Sequence, residues 1–248
     1  MSDTLSAVLM VGGTFLFAGL VKGVIGLGLP TVAMGLLGLA MRPVEAAALL
    51  LVPSLVTNVW QLLAGPCTNA LLVRLWPMLL GVVAGTLAGS GLIVGATTGP
   101  ATTSLGVALV LYGALGLAKP QLRVPPASEV WAGPLVGAVT GFVTGATGVF
   151  VIPAVPYLGS LGLERDELVQ ALGLSFTVST LALAGGLAIH GALTFTASGT
   201  SLLAIVPALV GMALGGRLRA RAHPELFRLF FFAGLLLLGG QLIWRGGA

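Results

Sequence analysis

From residue 5 to residue 41 the chain carries one charged side chain, Lys22, and is otherwise apolar, small or hydroxylic. A single helix over that stretch would be roughly 55 Å long at 1.5 Å per residue, and a hydrocarbon core is only about 30 Å thick. Residues 130–162 raise the same difficulty. Six shorter apolar stretches, 43–64, 71–95, 101–118, 168–189, 199–216 and 226–244, are close to the length of one membrane span. Only 7% of the 248 residues are charged and 57% are hydrophobic, against about 25% charged in a soluble domain. Such a chain cannot cover a water-facing surface, so the expected class is an all-α, polytopic membrane protein. The 38 glycines suit helices that approach closely in lipid.

Each overlong stretch has a glycine cluster near its middle. The first reads Gly19-Leu-Val-Lys-Gly23-Val-Ile-Gly26-Leu-Gly28-Leu-Pro30. The second reads Gly141-Phe-Val-Thr-Gly145-Ala-Thr-Gly148, with Pro153 beyond it. Glycine admits positive φ and proline can start a new helix. Each stretch is therefore predicted to be a broken, re-entrant-like hairpin that enters the membrane and returns to the same side. Three spanning segments follow each hairpin. The recurrence divides the chain into repeats 1–120 and 121–248, inverted relative to each other because each crosses an odd number of times beyond its hairpin. With the loop carrying Arg217, Arg219, Arg221 and Arg228 in the cytoplasm, Arg74, Lys119, Arg123 and Arg165 join it, and Arg42 and Arg245 fall outside. The positive-inside rule prefers that count and puts both termini outside the inner membrane.

Several functions find no support in the residues. Cys67 is the single cysteine and the two histidines, His190 and His223, are far apart, so no metal or cofactor site is expected. The basic residues are scattered or near segment ends, which fits membrane orientation and contact with lipid rather than nucleic acid. No basic stretch precedes the first apolar segment as in a signal peptide. No Walker motif occurs. Ser175 or Ser179 with His190 is the only conceivable catalytic couple, and a separation of roughly 16–22 Å along one helix prevents it.

The paired motifs GLVKGVIGLG and GFVTGATG are each followed by a small-polar helix, VPSLVTNVWQ over 52–61 and LSFTVST over 174–180. On these residues the chain resembles the TauE/SafE family, the 4-toluene sulfonate uptake permeases, over nearly its whole length. The glycine run usual after GxxxGxxG is reduced here to Leu27-Gly28-Leu29 and to Val149-Phe150-Val151. The resemblance implies transport of sulfite, organosulfonates or related small anions.

Lys22 is the leading functional candidate, because a charge deep in an apolar stretch costs at least ~2.5–3.5 kcal/mol on insertion scales. With Gly23 and Gly26 it can form an anion site, lysine charge plus free amides at a new helix start; the competing reading is a lysine that snorkels to a headgroup. Ser54, Thr57, Asn58 and Gln61 make a polar stripe that can line a cavity or hold helices together. Thr144 occupies the Lys22 position of the second repeat, beside Thr140, Thr147, Gly145 and Gly148, and its hydroxyl can bind sulfonate oxygens or its own helix. Ser175 and Thr177, with Ser179 and Thr180, are the counterparts of the first stripe. Trp60 is read as packing. The expected function is a secondary anion transporter working by alternating access. A passive anion channel, a carboxylate transporter, an intramembrane enzyme and a scaffold are the alternatives. The glycine-rich faces leave room for a homodimer.

Overall fold

The computed structural model describes residues 2–118, 123–193, 201–219 and 224–247, and every regular element among them is helical. Eight helices are long and apolar enough to cross a membrane. They are α1 (Ser2–Ile25), α3 (Pro43–Leu63), α4 (Thr68–Gly95), α5 (Thr98–Ala118), α6 (Pro126–Thr147), α8 (Arg165–Ile189), α9 (Ile205–Arg219, continuing a span from Ser201) and α10 (Pro224–Gly247). Two short helices, α2 (Leu29–Leu37) and α7 (Ala154–Ser160), complete the set. The outside is apolar: Val73, Phe230, Leu237 and Trp244 are all largely exposed, and Lys22, Asn58 and Ser179 are buried. That inversion of the soluble pattern is what lipid as solvent requires.

The overlong stretches do break within their glycine clusters, at the last glycines of each. Helix α1 runs for 24 residues, roughly 36 Å, and continues through Gly19 and Gly23. It ends at Gly26 and Gly28, whose φ of 89° and 104° are open to glycine at little cost. Pro30 then lies in the first turn of α2, as expected of a proline that starts a new arm. In the second copy α6 runs to Thr147 and Gly148 takes φ 73°. The two breaks share a hydrogen bond: Gly26 N donates to the Lys22 carbonyl at 2.7 Å, and Gly148 N to the Thr144 carbonyl at 2.7 Å. Each hairpin is thus one full-length arm and one short returning arm of nine or seven residues. The following helices also start alike: the Arg42 amide donates to Glu45 Oε2 at 3.2 Å and the Glu164 amide to Glu167 Oε2 at 3.1 Å, each closing a first turn.

Residue pairs give the helix directions. Lys22 meets Asn58 and Gly26 meets Gln61, so α1 runs parallel to α3 and the α1–α2 hairpin returns to its own side. Asn58 meets Thr180 and Leu62 meets Gln170, so α3 and α8 are antiparallel. Gly106 faces Gly239, and Gly113 faces Phe232 and Leu236, so α5 and α10 are antiparallel. Following the chain through these directions puts Ser2, Arg42 and Gly247 at one end, where Arg245 donates to the Leu39 carbonyl at 2.7 Å. Arg74, Arg123, Arg165, Arg217, Arg219 and Arg228 lie at the other end.

Glycines set the closest helix contacts. Helix α1 packs parallel to α9, with Leu16 against Gly211 and Leu20 against Gly215. A Cβ on Gly23 would fall 2.2 Å from the Met212 carbonyl oxygen. Helix α4 packs parallel to α6 in the same way, and a Cβ on Gly145 would fall 2.4 Å from the Thr86 carbonyl oxygen. Small residues spaced by four allow backbones this close, and van der Waals contact then holds the helices where no hydrophobic effect can. Each long hairpin arm is therefore partnered by a helix from the other half of the chain.

Candidate functional site

Lys22 lies in the last turn of α1 and is only 3% exposed. The long apolar stretch suggests a position midway through the membrane; the break at Gly26 and Gly28 puts Lys22 closer to the arginine-rich end instead. Its ammonium donates to Asn58 Oδ1 and, at 3.2 Å, to Thr57 Oγ1. The Thr57 hydroxyl in turn donates to the Pro53 carbonyl at 2.8 Å. Asn58 Nδ2 faces Ser54 Oγ and Thr180 Oγ1, both at 3.4 Å. Lys22 forms no ion pair with a carboxylate among the described residues. The negative C-terminal end of α1 favours a cation there. That differs from the sequence expectation, in which free amides at a helix start join the lysine.

Gln61 clamps the break. Its Nε2 donates to the Gly26 carbonyl at 2.9 Å and to the Val169 carbonyl at 2.7 Å, and its Oε1 is buried without a partner among the described residues. One turn further on, Gln170 donates to the Leu62 and Gly65 carbonyls at 2.8 and 2.6 Å and accepts from the Cys67 amide at 3.0 Å. A cavity of about 470 Å³ opens beside this cluster, bordered by Lys22, Gly26, Trp60, Gln61, Val169 and Arg219. Trp60 is 66% exposed, so it walls the cavity rather than filling the core. Arg219, which the sequence presents only as part of a basic loop, shares that cavity. All four tryptophans are more than half exposed, Trp60, Trp76 and Trp131 toward the arginine-rich end and Trp244 at the opposite one, as in the aromatic belts of membrane proteins.

The sequence candidates thus separate into two groups. Lys22, Gly23, Gly26, Ser54, Thr57, Asn58 and Gln61 come together, joined by Thr180. The second-hairpin residues have other partners. The Thr144 hydroxyl donates to the Thr140 carbonyl at 2.8 Å and lies 3.3 Å from that of Val149. Gly145 is a packing position against α4, as Gly23 is against α9, so neither offers the free amides expected of a break. Gly148 sits against Met34 of α2. Thr177 bonds back to the Gly173 carbonyl at 2.7 Å. Ser175 and Ser179 are buried with hydroxyls that have no partner among the described residues. His190 Nδ1 lies 2.9 Å from the Gly186 carbonyl of its own helix. Among the described residues no group of acidic, histidine or cysteine side chains could hold a metal ion.

Eight spanning-length helices, an apolar exterior and a buried polar seam define a polytopic integral membrane protein. The chain belongs to the sulfite exporter TauE/SafE family of membrane transporters, whose family model matches residues 11–242. No curated protein and no solved structure matches it significantly.

Proposed function

We propose that the chain is a secondary transporter that moves small sulfur-containing anions, sulfite and organosulfonates foremost, across the inner membrane by alternating access around Lys22. The observation that carries this reading is a buried ammonium with no carboxylate partner among the described residues, beside an open cavity. A charge within a spanning helix that is buried in protein rather than snorkelling to the headgroups is functional by default. Lysine has three N–H donors; Asn58 and Thr57 take two, leaving one donor and the charge for a substrate oxygen. An ammonium is a point charge rather than a planar fork, which suits oxyanions of several shapes. Arg219 draws anions to the cavity mouth, and Gln61 Oε1 can accept from a protonated substrate such as bisulfite.

The architecture supports the alternating-access part. Helices α3 and α8, and α5 and α10, occupy corresponding places in the halves 1–120 and 121–248 and run antiparallel, as two inverted repeats require. On this reading Thr144, Gly145, Gly148, Ser175 and Thr177 belong to the opposite-facing half of the pathway, entered when one repeat rocks against the other. Positive-inside counting places the arginine-rich end in the cytoplasm, so the conformation described here opens inward.

The test is uptake into proteoliposomes with sulfite, sulfonates, sulfate and carboxylates, with and without proton and sodium gradients. Saturable flux, driven uphill and abolished by Lys22→Ala, is the expected result. Flux that neither saturates nor runs uphill would make the protein a channel. Full binding and transport by Lys22→Ala would place the anion site elsewhere.

A further inference from the structure

A second and larger cavity, about 800 Å³, lies at the arginine-rich end between α5, α6, α7 and α10. Its walls are mostly apolar, with Leu27, Leu115, Val155 and Phe232 among them. Three arginines and one acid, Arg74, Arg123, Arg228 and Glu129, also border it. Arg74 and Glu129 neutralise each other through bonds of 2.9 and 2.6 Å, and Arg74 is further fixed on the Leu161 carbonyl at 3.1 Å. Arg123 and Arg228 have no hydrogen-bond or ion-pair partner among the described residues. Tyr112, also on the wall, is 2% exposed and its buried hydroxyl has no partner among them.

The cavity therefore combines two unspent guanidinium groups, one unspent buried hydroxyl and an apolar interior. An inorganic oxyanion would leave that apolar wall unfilled, and an uncharged hydrocarbon would leave the arginines unused. The chemistry that satisfies both parts is an anionic head on an apolar body. Basic pockets between spanning helices at the cytoplasmic surface take acidic lipid headgroups, and arginine suits the phosphate oxygens.

We propose that this cavity binds one anionic phospholipid, its phosphate held by Arg123 and Arg228 and the upper part of its acyl chains lying along Leu115 and Phe232. The lipid joins α10 to the α6–α7 hairpin, two elements that otherwise share few contacts. It is independent of the Lys22 site.

Native mass spectrometry of the full-length protein in detergent tests this, with phosphatidylglycerol and phosphatidylcholine as probes. Wild-type protein should retain phosphatidylglycerol in preference to phosphatidylcholine. Arg123→Gln with Arg228→Gln should lower that preference by about tenfold. Gly159→Phe should do the same by filling the space, since Gly159 borders the cavity and a Cβ there meets nothing within 4 Å. Arg165→Gln with Arg217→Gln removes as much charge from the same end outside the cavity and should leave the preference intact. Equal loss in that control, or retained preference in both cavity variants, would overturn the proposal. So would displacement of the lipid by glycerol phosphate at equal concentration, since the acyl chains would then contribute nothing.

Discussion

Lys22 donates to the side-chain carbonyl of Asn58, 36 residues further along the chain, and thereby ties the last turn of α1 to the C-terminal part of α3. Both residues are buried, and neither touches a carboxylate among the described residues. The amide satisfies one hydrogen of the ammonium without cancelling its charge. That distinction leads to a sharp expectation. Asn58→Asp supplies the missing counter-ion, so the protein should keep or gain thermal stability and lose at least about tenfold in anion affinity. Asn58→Leu removes a partner instead and should destabilise by about 1–3 kcal/mol. Titration calorimetry with sulfite, alongside thermal unfolding in detergent, separates the two effects. Unchanged affinity in Asn58→Asp would remove Lys22 from the anion site.

The glycine motifs carry a second expectation, about packing. Gly23→Ala and Gly145→Ala each force a methyl group onto a neighbouring helix carbonyl, and overpacking of this kind costs about 1–3 kcal/mol. Gly12 and Gly13 lie on the same helix as Gly23, and a Cβ at either meets nothing within 4 Å. Gly12→Ala and Gly13→Ala should therefore be neutral or slightly stabilising, since alanine is the better helix former. Melting temperatures of the four variants decide it. Equal melting temperatures throughout would mean that the α1–α9 and α4–α6 seams yield more easily than their geometry implies.

These glycines also explain how far the fold was legible. Apolar length and spacing placed the spanning segments, and Lys22 stood out because nothing else in its stretch is charged. The partners Thr57, Asn58 and Gln61 were visible as a stripe at helical spacing. Each break was visible as a glycine cluster, but which glycine of the cluster makes it was not. Glycine can end a helix or admit a neighbouring one, and local sequence does not distinguish these uses. Gly19 and Gly23 admit α9, and only Gly26 and Gly28 end α1. Which helix is admitted is a matter of tertiary structure: the partners lie in the opposite half, nearly 190 residues away at Gly23 and Met212. The same reason hid Arg219, whose place beside Lys22 exists only because α9 packs against α1. Thr144 occupies the Lys22 position of the motif, and the two backbones match: both carbonyls accept from the glycine four residues on. Its hydroxyl is too short to leave its own helix end.

Direction through the membrane gives a third expectation. Single cysteines replacing Asp3, Arg217 and Gly247 in a Cys67→Ser background should label from two sides. Positions 3 and 247 should react with an impermeant reagent from outside intact cells, and position 217 only after the cells are opened. Labelling of position 217 from the same side as position 3 would contradict both the parallel course of α1 and α3 and the hairpin between them.

Pro53 gives the last expectation. Proline has no amide hydrogen, so inside α3 it leaves the Leu49 carbonyl without its usual i+4 donor. Water cannot supply a replacement in a membrane interior, and each unsatisfied backbone group there is costly. Ser201, at the start of the span that continues into α9, fills the gap: its hydroxyl donates to the Leu49 carbonyl at 2.7 Å and lies 3.3 Å from the Val52 amide. Ser201 is fully buried, so the contact is sheltered from solvent. Ser201→Ala should cost about 1–3 kcal/mol, the penalty for a buried acceptor left unpaired. Pro53→Ala restores an amide to the helix and gives Leu49 its ordinary partner. In that background the same Ser201→Ala change should cost much less. A double-mutant cycle on thermal or denaturant unfolding measures the difference. A coupling energy near zero would show that Ser201 holds α9 against α3 by packing alone, and that the Leu49 carbonyl is satisfied without it.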